Sequence, residues 1–128
     1  MNLMEWAEIF LNHRKGFRLI DNFSKENEHF LVSINQKKSK FFVFEDLSKS
    51  IDFLEENCFI ATLNKKQNLD FLIKNWNLFV EKSVTIYFVN PDLNEKWVLN
   101  TKVHSFISDK NVALGLNSLF STVQEVNE

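Results

Sequence analysis

Residues 84–89 read V-T-I-Y-F-V, β-branched or aromatic throughout. A strand made this way has no solvent face, and such strands favour parallel neighbours in covered sheets. A second apolar run spans residues 58–63. Between the two, Leu69, Leu72, Ile73, Trp76, Phe79 and Val80 recur at helical spacing over residues 66–81. Residues 58–89 therefore predict a strand–helix–strand unit. A sheet covered on both faces then requires an α/β fold, a single mixed sheet of about five or six strands flanked by helices.

The remaining elements follow from local pattern. Leu3, Trp6, Ala7, Phe10 and Leu11 make one apolar face of a helix over residues 3–15, with Asn2 as cap and Gly16 as a left-handed exit. Residues 17–24 alternate as a strand. Residues 29–35 and 40–45 predict a hairpin joined through 36–39, and Phe41 to Phe44, apolar on both faces, place the second of these strands centrally. Leu47, Ile51 and Leu54 suggest a short helix, capped by Ser48 and ended at Asn57. Asn90, Pro91 and Asp92 signal a turn, after which residues 96–100 return antiparallel with Trp97 and Leu99 on one face. Residues 101–109 read as loop. Asp109 caps a last helix whose inner face is Val112, Ala113, Leu116, Leu119, Phe120 and Val123. One domain is expected over residues 1–124, with 125–128 as a frayed tail.

Composition narrows the class. The chain has 128 residues, a net charge of −2, 14 Phe and 3 Trp. A chain of this size with so many rings can bury a large core, since each ring removes roughly 150–250 Å² from water. The mild acidity argues against a strongly basic nucleic-acid coat. Cys58 stands alone in an apolar run, which reads as a buried thiol rather than a nucleophile. Glu5 and Glu8 interrupt the first apolar stretch, and no apolar run approaches the roughly 20 residues of a spanning helix. No secretory signal or membrane span is expected, and the location expected is the cytoplasm.

The order helix, three strands, short helix, strand, helix, strand, strand, helix resembles the core of the restriction-endonuclease-like nucleases. The resemblance is one of element order over roughly residues 3–100. It implies a nucleic-acid partner and a metal site built from an Asp and an Asp/Glu-x-Lys pair. Here Leu63-Asn64-Lys65 puts Lys65 at the motif's Lys but Leu63 at its carboxylate. Glu45 and Asp46 end the preceding strand and could supply acids, yet neighbours on a strand point to opposite faces. The catalytic motif is absent as written.

No cofactor or metal is expected. His13, His29 and His104 lack ligand spacing, and no glycine-rich phosphate loop or G-x-S-x-G elbow is present. Two candidate sites remain. Asn90, Trp97, His104 and Asp109 follow the central strand and could line a strand-end pocket, where open α/β sheets bind ligands. The competing reading has His104 closing a loop and Asp109 only capping a helix. Arg14, Lys15, Arg18, Lys37, Lys38, Lys40, Lys65 and Lys66 form a candidate nucleic-acid patch. Its competitor is a set of solvated turns that discourage strand pairing.

These features favour a non-enzymatic α/β module that contacts nucleic acid, or a complex that processes it, through the Lys/Arg patch. The alternative is a protein-interaction or homodimerising domain using Trp97, Phe106 or the last helix. A divergent metal-dependent hydrolase is the third reading.

Overall fold

The structure, a computed structural model, describes residues 1–107 and 111–127. Six strands form one mixed sheet in sequential order: β1 (Asn22–Lys25), β2 (His29–Ile34), β3 (Lys37–Val43), β4 (Phe59–Leu63), β5 (Thr85–Asn90) and β6 (Glu95–Asn100). The β3–β4 and β4–β5 pairs are parallel and the other three antiparallel. The expected α/β architecture is thus the observed one. No helix among the described residues is long and apolar enough to cross a membrane.

Alternation along the strands divides the core in two. Helix α1 (Leu3–Gly16) covers one face, setting Leu3, Trp6, Ala7 and Leu11 against Phe30, Val32, Phe41, Ala61, Tyr87 and Val89. The other face carries Phe42, Ile60, Ile86, Phe88, Trp97 and Leu99. Above it lie a 3₁₀ helix (Leu47–Phe53), α2 (Lys66–Lys74), α3 (Trp76–Lys82) and α5 (Val112–Phe120). Phe88 stacks on Trp97 with ring centroids 4.3 Å apart. The β5 strand has neighbours on both sides and five of its six residues buried, as its sequence demanded.

Several boundaries differ from the sequence reading. Residues 17–21 are not strand. Helix α1 ends in a hydrogen-bonded turn in which the Leu19 amide donates to Arg14 at 2.8 Å and Arg18 takes the left-handed conformation (φ 61). Gly16, expected to make that exit, stays helical. The β2–β3 hairpin turns on Asn35 and Gln36 alone, at φ 50 and 70. Lys37 to Lys40, expected in part as connection, are polar strand residues. Asp46, rather than Ser48, caps the 3₁₀ helix, accepting from the Ser48 amide at 3.0 Å.

The long helix breaks at Asn75 (φ −112, ψ 25), whose side-chain amide donates to the Phe71 carbonyl at 3.0 Å. The segment expected as loop after β6 is helix α4 (Thr101–Ile107). Asn100 caps it through the Val103 amide, and the buried Thr101 hydroxyl bridges Phe79 and Val84. Asp109 lies outside the described residues; Asn111 caps α5 at the Leu114 amide.

A Cβ added at Gly16 meets nothing within 4 Å, and the residue is helical. Gly16→Ala should therefore raise unfolding free energy by about 0.5–1 kcal/mol through the lost flexibility of the unfolded chain. Urea denaturation checks this; an unchanged or lowered midpoint contradicts the assigned helix end.

Candidate functional site: the two ends of the sheet

The parallel strands give the sheet a carboxyl end and an amino end. At the carboxyl end, where α/β proteins commonly bind ligands, the chain has filled the space itself. Asn64 follows β4 and is fully buried. Its carbonyl oxygen accepts from the Trp97 indole at 2.8 Å. Its amide nitrogen donates to the carbonyls of Val123 at 3.0 Å and Gln124 at 3.4 Å. The Asn64 backbone donates to Val89 and accepts from Val126. Asn90 donates to Gln124 at 3.0 Å. Asn68, also fully buried, accepts from the Leu47 amide and donates to the carbonyls of Glu45 and Leu63.

The tail is therefore docked, not frayed, through Val126, which packs on the α1 face of the core. Glu125 closes the arrangement. The N-cap position of α2, Lys65, makes no side-chain capping bond, and the Lys66 amide instead donates to the Glu125 carboxylate at 2.9 Å. A helix N-terminus offers free amides and partial positive charge. Here the chain's own carboxylate satisfies the first of them.

The expected strand-end pocket is divided. Asn90 and Trp97 meet around Asn64 and the tail. His104 is at the opposite end, because β6 runs antiparallel and carries the chain to the amino end before α4 begins. Its ring meets Trp76 edge-on at 5.8 Å, and its buried Nε2 finds no hydrogen-bond partner among the described residues. The carboxylates do not assemble either. Asp46 is occupied by Ser48, and Glu45 is exposed. Among the described residues no group of three His, Cys, Asp or Glu is placed to hold a metal ion. Cys58 is buried, and burial pushes its thiol pKa up, keeping it neutral and inert.

The basic residues also divide. Lys65 and Lys66 lie at the carboxyl end, and Lys66 is engaged with Asp70 and Asn117. The parallel register of Val43 with Ala61 separates them from Lys37 by about ten residues of strand, roughly 33 Å. Lys40 is paired with Glu55 at 2.6 Å. The remaining five converge at the amino end. The Asp21 amide bonds Ser33 and its carboxylate accepts from the Gln36 amide at 3.3 Å. That link ties the α1 exit, bearing Arg14, Lys15 and Arg18, to the hairpin turn, bearing Lys37 and Lys38. Among the described residues Lys15, Arg18, Lys37 and Lys38 form no ion pair.

Along α1, from the β5–β6 turn at the carboxyl end to the helix exit at the basic end, runs a groove of about 290 Å³. Trp6, Phe10 and Arg14, four residues apart on one helical row, make its wall. Trp6 stacks on Phe10 at 5.0 Å, and the Arg14 guanidinium sits 4.9 Å from the Phe10 ring centre. The Trp6 indole is fixed by Asn94 at 2.9 Å. A smaller cavity of about 150 Å³ continues beneath the last turn of α1, lined by Arg14 and Tyr87 among others. Burial pushes the Tyr87 pKa up, and Arg14, bonded to it, partly opposes the rise. Sequence reasoning missed this groove, because pairing helix row 6-10-14 with residues 94–96 requires the tertiary fold.

Replacing Asn64 with Ala leaves the buried Trp97 indole and the tail carbonyls without their partner. Unfolding free energy should fall by about 3 kcal/mol, read from the shift of the urea midpoint. A loss below about 0.5 kcal/mol, the range of an ordinary surface substitution, contradicts the network.

Comparison with protein-family models, curated proteins and solved structures gives no match for this chain.

Proposed function

We propose that the protein is a non-enzymatic module that contacts nucleic acid through the amino end of its sheet. One observation carries the reading. The fold brings Arg14, Lys15 and Arg18 beside Lys37 and Lys38, although some twenty residues of chain separate the two groups. Cations that form no ion pair among the described residues are free to bind phosphates by releasing counterions. Lys40, Lys65 and Lys66 drop out of the patch for the reasons of pairing and distance given above. The resemblance of the sequence's expected element order to that of the restriction-endonuclease-like nucleases favours the same partner class. The filling of the carboxyl end by Asn64 and the tail favours binding over catalysis.

A second reading has its own observation. Phe106 is 79% exposed, with Val103 beside it on α4 and Leu114 on α5 also exposed. An apolar surface of this kind suits a protein partner or a second copy of the chain. Trp97, the other aromatic considered for that role, is buried and serves the core instead. Sedimentation of the wild type and of Phe106→Ser separates the readings: self-association lost in the variant supports the second.

For the first reading, anisotropy of a labelled oligonucleotide at low salt is the test. The double variant Lys37→Glu/Lys38→Glu should weaken binding at least tenfold and flatten the salt dependence by about two phosphate contacts. Lys25→Glu/Lys49→Glu, an equal charge change on exposed residues toward the carboxyl end, should leave affinity within about twofold of this electrostatic background. No binding at low salt, or equal losses in both variants, rejects the proposal.

A further inference from the structure

The groove along α1, which reaches the basic end at the helix exit, has no carboxylate in its lining. Its lining holds two cations, Arg14 and Lys96, and the rings of Trp6, Phe10, His13 and Phe17, of which Trp6 is buried. Both cations lie over the same ring, the Lys96 ammonium at 5.4 Å from the Phe10 centre and the Arg14 guanidinium at 4.9 Å. Phe17 follows His13 by four residues on the adjacent row of the helix and projects at the α1 exit, 76% exposed, between Arg14 and Lys15 on one side and Arg18 on the other. A large ring held in water at a hydrogen-bonded turn gains nothing for the fold.

We infer that this groove takes single-stranded nucleic acid, with a base stacked on Phe17 and the flanking phosphates on Arg14, Arg18 and Lys96. The inference rests on the nucleic-acid reading of the basic end and adds the strand state and the place of the base. Three features select this occupant. Every base has a flat apolar face for an exposed ring, and stacking of this kind tolerates any sequence. Phosphates are complementary to a lining that holds cations and no acid. Bases inside a duplex are already stacked on each other, so only an unpaired strand can present one to Phe17.

The test measures anisotropy at low salt with a labelled oligothymidylate and with a duplex of the same length. Wild-type protein should bind the single strand more tightly than the duplex. Phe17→Ala should weaken single-strand binding about tenfold, the effect of one lost stacking contact, with duplex affinity and melting temperature unchanged. Phe106→Ala, which removes an equally exposed ring on α4, should change neither. Equal affinity for the two probes with no effect of Phe17→Ala overturns this inference and leaves the basic-end reading standing. Equal losses from Phe17→Ala and Phe106→Ala overturn the placement of the base. Failure of both probes to bind overturns the inference together with the reading on which it rests.

Discussion

The Asn64 carboxamide joins three parts of the chain distant in sequence: the end of β4, the Trp97 indole on β6, and the backbone of the tail at Val123 and Gln124. An amide side chain suits this position because it donates twice and accepts at the same time, uncharged. A carboxylate there would face two carbonyl oxygens with no proton to offer, and an apolar residue would strand the indole. Burial removes water as a substitute, so the network must be complete to be stable. With Asn68 and Asn90 it forms a polar layer across the end of the parallel strands, where a binding cleft would otherwise open.

From that closure follows the division of labour between the two ends of the sheet. The carboxyl end is a structural seam: the tail crosses it, and Glu125 supplies the charge that the start of α2 attracts. Among the described residues no comparable polar seam crosses the amino end. There the exit of α1 and the β2–β3 turn bring cations together, and a groove runs from that exit along α1 to the β5–β6 turn at the other end of the sheet. The same helix thus buries Trp6 and Leu11 in the core and holds Arg14 and Phe17 outside it. The groove of this molecule accordingly lies on a helix flank rather than across the ends of the parallel strands.

The parts legible in the sequence were those with repeated pattern. The V-T-I-Y-F-V run located β5, the spacing of Leu3, Trp6, Ala7, Phe10 and Leu11 located α1, and the hairpin pattern over residues 29–35 located β2. Elements set by single side chains were not legible. Helix α4 depends on the Asn100 cap and the Thr101 anchor, and its Val103 and Phe106 remain exposed, leaving little amphipathic signal. The break at Asn75 interrupts an otherwise continuous apolar period. Alternation at residues 17–20 imitated a strand because Phe17 and Leu19 are apolar yet outside the core. Of the candidate sites, the basic residues were visible as types, but which of them come together depends on strand register and on the Lys40–Glu55 pair. Buried Asn64 and Asn68 look in sequence like any other Asn in a chain rich in them.

The most direct test of the account is hydrogen exchange at two protons, the Trp97 indole N–H and the Val126 amide, both bonded to Asn64. If the tail closes the sheet as described, the indole proton exchanges only on global unfolding and the Val126 amide is strongly protected, though near the chain end. Exchange of both at the rate of an unstructured peptide would mean that the tail is free and the carboxyl end open, which contradicts the account.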